Sequence, residues 1–172
     1  MMHAEMMRQA MEIAGIKMRA HFEPLRDENK EVLRRIGLPE EAQQFFVAFS
    51  FNIDLEIGEL HYDQANCFKK NLEWEDGFQR ALHAGLLVIG SGSTGDPIAL
   101  DIQDLQAGYL FHDYFWEQEA EDPRKFFIKM NCSLGQLFLN SVSVEEYPVD
   151  AYEAAAYMGS EFTGYEDLED DR

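Results

Sequence analysis

The chain has 172 residues, of which 46% are hydrophobic and 13% aromatic, a composition that suits one globular domain with its own core. Its net charge of −19 repels phosphate backbones, so a nucleic acid is not expected as a direct partner. The longest apolar runs, such as residues 86–89, are too short to cross a bilayer, which argues against a membrane protein.

The first part of the chain has the periodicity of helices. Residues 4–20 predict an amphipathic helix, and residues 24–36 a second one that ends near Gly37. Leu38-Pro39-Glu40-Glu41 opens a third helix, because proline suits the first turn and acidic residues suit the positive end of the helix dipole. The side chains expected on the inner faces are Met7, Met11, Ala14, Met18, Leu25, Val32, Leu33, Ile36, Phe45, Phe46 and Phe49.

Strand patterns begin after the third helix. Residues 53–62 alternate between apolar and polar, mostly acidic side chains and predict one half-exposed strand. A short helix is expected after Asp76-Gly77, and an acidic loop at 114–122. The other predicted elements are strands at 86–90, 98–102 and 108–112, a strand or helix entry at 126–130, a helix capped by Ser133 that runs to Val142, a short helix at Ala151–Met158 and a frayed acidic end at 164–172.

The segment Gly90-Ser91-Gly92-Ser93-Thr94-Gly95-Asp96 has the spacing G-x-G-x-x-G. Dinucleotide-binding loops need a helix to begin inside the motif, whereas Pro97 and an alternating apolar run follow here. A kinase-type glycine loop needs a lysine on the next strand, and no Lys or Arg occurs between Arg80 and Arg124. The glycines are therefore predicted to form the turn of a β-hairpin and not a nucleotide site.

One group of residues around the predicted strands could carry catalysis: Asp96, Asp101, Asp104, His112 and Asp113. Carboxylates of this kind bind hard metal ions, and the histidine could act as a general base. Against this, strand alternation places Asp101 on the solvent side, and the chain has neither a nucleophile elbow nor a His-x-x-x-His pair. We therefore expect no enzyme activity, no metal and no cofactor.

Cysteine usage and the N-terminus favour a cytoplasmic location. Cys67 and Cys132 lie 65 positions apart without CxxC spacing, so they predict neither a disulfide framework nor a zinc site. The N-terminal residues lack the basic start and apolar stretch of a signal peptide. The acidity either attracts a basic protein partner or serves solubility alone, and the composition leaves both interpretations open.

Several segments, in this order along the chain, resemble the SUKH superfamily, which contains the yeast cell-wall synthesis regulator and many bacterial toxin-immunity proteins. Leu38-Pro39-Glu40-Glu41 before an aromatic-rich helix is similar to the entry of that family. Residues 87–101 resemble its central hairpin, 108–113 its following strand and 126–139 its closing segment. The resemblance spans residues 36–142. The residues that mark the family's fold in this chain are Leu38, Pro39, Gly90, Gly95 and Asp96.

The resemblance implies a single α+β domain with a central, mostly antiparallel sheet flanked by helices. Residues 1–35 are then expected to form a helical extension packed on the domain, and 143–172 an acidic extension that is partly disordered. The resemblance further implies protein binding without catalysis. We expect an immunity-type inhibitor that neutralises a basic, nuclease-like toxin in the producing cell.

Two alternatives stay open: an intracellular regulatory or scaffold protein of the same fold, and a small metal-dependent enzyme built on Asp96, Asp101, His112 and Asp113. The sequence names neither the partner nor the oligomeric state. The acidic side chains are either the binding surface or a solvated rim, and Trp116 is either a binding anchor or part of the core. The residues expected to bind a partner are Asp96, Asp101, Asp104, Asp113, Trp116, Glu117 and Glu119.

Overall fold

The computed structural model describes residues 1–73, 76–117 and 121–165. The helices are α1 (Ala4–Ile13), α2 (Met18–His21), α3 (Asp27–Arg35), α4 (Glu40–Ala48), α5 (Lys70–Glu73), α6 (Asp76–His83), α7 (His112–Glu117), α8 (Leu134–Ser143) and α9 (Ala151–Met158). The strands are β1 (Leu55–Ile57), β2 (Leu60–Tyr62), β3 (Leu86–Ser91), β4 (Pro97–Asp101), β5 (Gln106–Leu110) and β6 (Phe127–Ser133). Within the described residues no helix is long and apolar enough to cross a membrane.

The strands form one six-stranded sheet in the order of the chain, and each pairs antiparallel with the next. Helices pack against this sheet, so the predicted α+β class with an antiparallel central sheet is confirmed. The connections between β3, β4 and β5 are short, as a meander requires. The longer connections, from β2 to β3 and from β5 to β6, contain helices.

The glycine segment forms the predicted hairpin between β3 and β4. Gly90 lies where a Cβ atom would come within 2.1 Å of the His61 carbonyl oxygen on β2, so only glycine lets the two strands approach. Gly95 has a φ of +89°, which favours glycine at the turn. The segment is thus a structural turn, as its spacing and its following strand predicted.

The central strands are covered on both faces. All five residues of β4 are buried, and so are the first five of β3. A sheet covered on both sides removes the alternation of buried and exposed residues that a half-exposed strand would show. This coverage is the physical reason why the solvent-side prediction for Asp101 is wrong: its side chain is only 1% exposed.

Three predicted elements are divided or replaced in the structure. The predicted helix 4–20 becomes α1 and α2, because Gly15 adopts a φ of +75° between them. The predicted strand 53–62 is the hairpin β1–β2, which turns at Gly58 with a φ of +64°. The predicted loop 114–122 begins inside α7, which also takes His112 out of the preceding strand. Residues 126–130 largely form strand β6, one of the two structures predicted for them.

The helix α1 packs on α8, with Met7, Ala10 and Met11 fully buried. Ser133 caps α8 by accepting a hydrogen bond from the Gln136 backbone, as predicted. The buried face predicted for α4 is also present, since Phe45, Phe46 and Phe49 are all buried.

The chain after α8 returns to the sheet. Val149, Ala151, Ala154 and Ala155 are buried in the core. Gly164 is also buried, and its carbonyl oxygen accepts a hydrogen bond of 2.6 Å from the Tyr114 hydroxyl. The prediction that the frayed end starts at Gly164 is therefore wrong for this residue. Residues 166–172 lie outside the described part of the chain.

Candidate functional site

The acidic residues predicted to bind a partner do not form one surface. Asp96 directly precedes β4 and Asp101 ends it, so the strand separates their backbones by about 16 Å. His112 contacts both Asp96 and Asp113, whereas Lys129 contacts both Asp101 and Asp104. The meander therefore divides the predicted group into two clusters of different construction.

Asp96 is a buried structural acceptor, so its predicted place on a binding surface is wrong. Its side chain is fully buried, and its two oxygens accept from two backbone N–H groups, those of His112 at 3.1 Å and Ala151 at 2.8 Å. The Thr94 hydroxyl adds a contact of 3.3 Å. This carboxylate thereby joins the glycine hairpin to the first residues of α7 and α9.

The His112 imidazole lies between two carboxylates. Its Nδ1 is 2.5 Å from Asp96 Oδ1, and its Nε2 is 2.9 Å from Asp113 Oδ1. Both ring nitrogens can donate to these oxygens only when the ring carries two protons. Within the described residues, no three acidic, histidine or cysteine side chains converge in a way that could hold a metal ion.

Asp101 is the centre of a second cluster, formed with two basic side chains. The Arg124 guanidinium donates to both of its oxygens, at 2.8 and 3.0 Å, and Lys129 Nζ lies 3.0 Å away. Burial by itself raises the pKa of Asp101, but the hydrogen bonds from Arg124 and Lys129 outweigh it and hold the pKa well below its ordinary range. The Lys129 ammonium also contacts Asp104 at 2.6 Å. Two of the predicted partner-binding acids are thus paired within the chain.

The three remaining residues predicted to bind a partner, Trp116, Glu117 and Glu119, differ in their surroundings. Trp116 packs against the ring of Phe78 and against Gly77, where a Cβ atom would come within 2.0 Å of the indole. It is half-buried and packs against the core, while its role in binding a partner stays a prediction. Glu117 is exposed at the end of α7. Glu119 lies outside the described residues.

A cleft that the sequence did not indicate lies beside the connection from α8 to α9. We call it the α8–α9 cleft; its volume is about 630 Å³, within the range of ligand and peptide sites. Its apolar lining includes Val144 and Tyr157, which are 45% and 59% exposed. The lining residues are Glu59, Ser141, Val144, Glu146, Tyr147, Pro148, Val149, Glu153, Ala156 and Tyr157.

The floor of the α8–α9 cleft is held by the glycine hairpin and the sheet. The Ser93 backbone N–H donates to the Val149 carbonyl at 2.9 Å, and the Tyr109 hydroxyl donates to the Pro148 carbonyl at 3.1 Å. At Gly92 a Cβ atom would come within 2.3 Å of the same Val149 oxygen, so only glycine permits this approach. The hairpin therefore positions the cleft although it does not line it.

Two further contacts shape the rim. The turn at Gly58 rests on α8, where an added Cβ would meet the Val142 side chain at 2.9 Å, and this contact brings Glu59 to the cleft. The ring of Tyr157 packs edge-on against Tyr147, with their centroids 5.5 Å apart. The walls are thus fixed by packing before any ligand arrives.

The charge of the α8–α9 cleft is negative and uncompensated. Its lining contains three glutamates and, among the described residues, no lysine, arginine or histidine. Glu153 accepts a hydrogen bond from the Val149 backbone at 2.9 Å, whereas Glu59 and Glu146 have no hydrogen-bond or ion-pair partner in the described chain. Glu146 also has a φ of +58°, an uncommon value for a residue with a side chain.

Comparisons of the chain with protein-family models, with curated proteins and with solved structures give no match. The only sequence signal for the cleft is the apolar and acidic run Val144-Glu145-Glu146-Tyr147-Pro148-Val149 between two predicted helices. That run is also typical of an ordinary solvated connection between helices, so the sequence does not distinguish a cleft from such a connection.

Proposed function

We propose that the protein is an acidic protein-binding module of the immunity type, which neutralises a basic, nuclease-like toxin in the cytoplasm of the producing cell. The observation that carries the proposal is the α8–α9 cleft, an apolar groove with acidic side chains that no basic residue of the described chain neutralises. The resemblance of residues 36–142 to the SUKH superfamily supports the same class of function.

Binding accounts for the acidic residues better than catalysis does. The carboxylates of Asp96 and Asp101 are occupied by backbone and basic groups of the chain, which leaves neither of them open toward a substrate. A nuclease domain presents basic residues to phosphate backbones, so an acidic inhibitor attracts it at long range and speeds their association. Buried apolar contacts at the interface then supply the affinity.

The proposal is tested by co-expressing the chain with the C-terminal domain of a secreted protein encoded beside its gene. We expect the toxin domain alone to arrest growth, and the folded chain to restore growth and to form a stable complex with it. The association rate should fall as salt rises, because salt screens the attraction between the two surfaces. Continued growth arrest beside normal amounts of the folded chain, or the lack of such a gene at every related locus, contradicts the immunity role.

A further inference from the structure

We propose that the α8–α9 cleft is the site that receives an arginine-bearing segment of the partner protein. This inference rests on the proposed function and assigns that function to particular residues. It starts from apolar exposure: Val144 and Tyr157 are among the few large apolar side chains of the described chain that are substantially exposed, and both line this one cleft. Exposed apolar groups that share a concave surface are typical of a binding site.

The charge of the cleft selects a cationic occupant. Glu59 and Glu146 have no partner in the described chain, and every charged residue of the lining is a glutamate. Elsewhere in the described chain several acids have a basic partner nearby in the sequence, as in the ion pairs of Glu31 with Arg34 and of Glu73 with Lys69. An incoming cation would therefore gain two carboxylates that it does not have to take from an internal partner.

The aromatic lining favours arginine among the cations. Tyr157 exposes its ring in the cleft that these glutamates line, and Tyr147 packs edge-on against that ring. A guanidinium can stack on an aromatic face while its N–H groups reach carboxylates in the same plane, which a compact ammonium does less well. The site thus combines a stacking surface with acceptors at its edge.

The size and composition of the cleft favour a polypeptide over a free ion. A volume of about 630 Å³ is larger than a single guanidinium needs, and Val144 and Ala156 offer exposed apolar surface next to a wall formed by the buried Pro148 and Val149. The hydrogen bonds from Ser93 and Tyr109 hold this wall in place, so binding does not have to order it first.

The experiment uses the full chain and a short synthetic peptide of alternating leucine and arginine, with Kd measured by calorimetry and the site mapped by amide NMR shifts. The matched peptide carries citrulline in place of arginine, which keeps the shape and removes the charge. We expect the arginine peptide to shift the amide signals of residues 144–147, 149 and 153–157. We expect the Kd of the citrulline peptide to be higher by at least about tenfold, because the charge-dependent contacts are lost.

Matched variants separate the cleft from overall acidity. The double substitution Glu59→Gln and Glu146→Gln removes two charges from the cleft, and Glu12→Gln with Glu28→Gln removes two from exposed sites elsewhere. We expect the first pair to raise Kd by about tenfold and the second by less than about twofold. Tyr157→Ser should weaken binding several-fold, while Tyr157→Phe should preserve it because the ring remains.

Three results would overturn the assignment: no binding of the arginine peptide, equal losses in both glutamate pairs, or amide shifts confined to another surface. Concentration-dependent dimerisation that Tyr157→Ser abolishes would identify a second copy of the chain as the occupant and would also overturn it. Rescue from the toxin that survives the cleft substitutions keeps the immunity role and rejects the cleft. Peptide binding at the cleft without any rescue keeps the site and rejects the immunity role.

Discussion

The Asp101 cluster and the α8–α9 cleft are both acidic, yet they are built in opposite ways. Asp101 is buried and meets two basic side chains, Arg124 and Lys129. The cleft holds exposed glutamates that meet no basic side chain of the described chain. The difference shows that local ion pairing, and not the number of acidic residues, decides which carboxylates of the described chain stay unpaired.

Solvation explains this contrast. A carboxylate removed from water costs several kcal/mol unless charges and hydrogen bonds replace the water, so a buried aspartate requires partners. An exposed glutamate keeps its water, and an ion pair there would contribute only about 0–1 kcal/mol. The Asp101 cluster is therefore structural, and the glutamates of the cleft are available for binding.

The largest expected effect is at the Asp101 cluster. Asp101→Asn should lower the free energy of unfolding by about 3 kcal/mol, because it leaves Arg124 and Lys129 partly buried without their shared carboxylate. Urea denaturation followed by circular dichroism measures the change. The matched variant Asp104→Asn, at a side chain 40% exposed, should cost less than about 1 kcal/mol. Equal losses in the two variants would contradict the structural role of Asp101.

The next effect concerns the floor of the cleft. Gly92→Ala should cost about 2 kcal/mol, because its Cβ would overlap the Val149 carbonyl and force the connection away from the hairpin. Amide NMR shifts should change at residues 149–151. Gly95→Ala is the control: nothing lies within 4 Å of its Cβ, so only its φ of +89° is penalised, by about 1 kcal/mol. Unchanged amide shifts at 149–151 in Gly92→Ala would reject this coupling.

Acid should weaken the fold through the same aspartate. The pKa of Asp101 is lower in the folded chain than in the unfolded chain, where it is near 3.9. The ion pairs of Asp101 therefore stabilise the fold fully above about pH 3.9, and this stabilisation decreases as the pH falls below that value. Urea denaturation between pH 5 and pH 2 should show a shallower decline in Asp101→Asn than in the parent chain. Parallel declines would mean that other carboxylates dominate.

The smallest effect has the opposite sign. Glu146→Gly should raise the free energy of unfolding by about 1 kcal/mol, because glycine adopts a φ of +58° without steric cost. Thermal unfolding detects such a gain as a higher Tm. Glu145→Gly, at the neighbouring exposed position without a positive φ, should not stabilise the chain. A lower Tm for Glu146→Gly would show that the glutamate side chain compensates its backbone strain.

Local patterns predicted most of the elements because their causes are local. The glycines of the β3–β4 hairpin, the Ser133 cap and the short helix Ala151–Met158 each depend on neighbours in the chain. Alternation failed at Asp101 because it presumes one solvated face, and β4 has none. The loop predicted at 114–122 failed because Phe115 packs into the core and Trp116 packs beside it, which favours the α7 helix.

The environment of the acidic residues was predicted less well than the fold. Of the acids proposed from the sequence, Asp96, Asp101, Asp104 and Asp113 have partners within the chain, and the sequence pattern does not reveal those partners. Arg124, for example, lies 23 positions from Asp101 and donates to both of its oxygens. The cleft residues Glu59 and Glu146 lie far apart in the chain and come together only through the packing of the Gly58 turn on α8.

The sequence by itself determined the α+β class, the order of the central strands, the glycine turn and the strongly acidic character, since each follows from local periodicity, backbone freedom or composition. Only the tertiary structure decided which acids are neutralised and which stay open. Burial and ion pairing depend on contacts between distant segments, and a one-dimensional pattern does not contain them. That decision moves the candidate site from the aspartates beside the meander to the glutamates of the α8–α9 cleft.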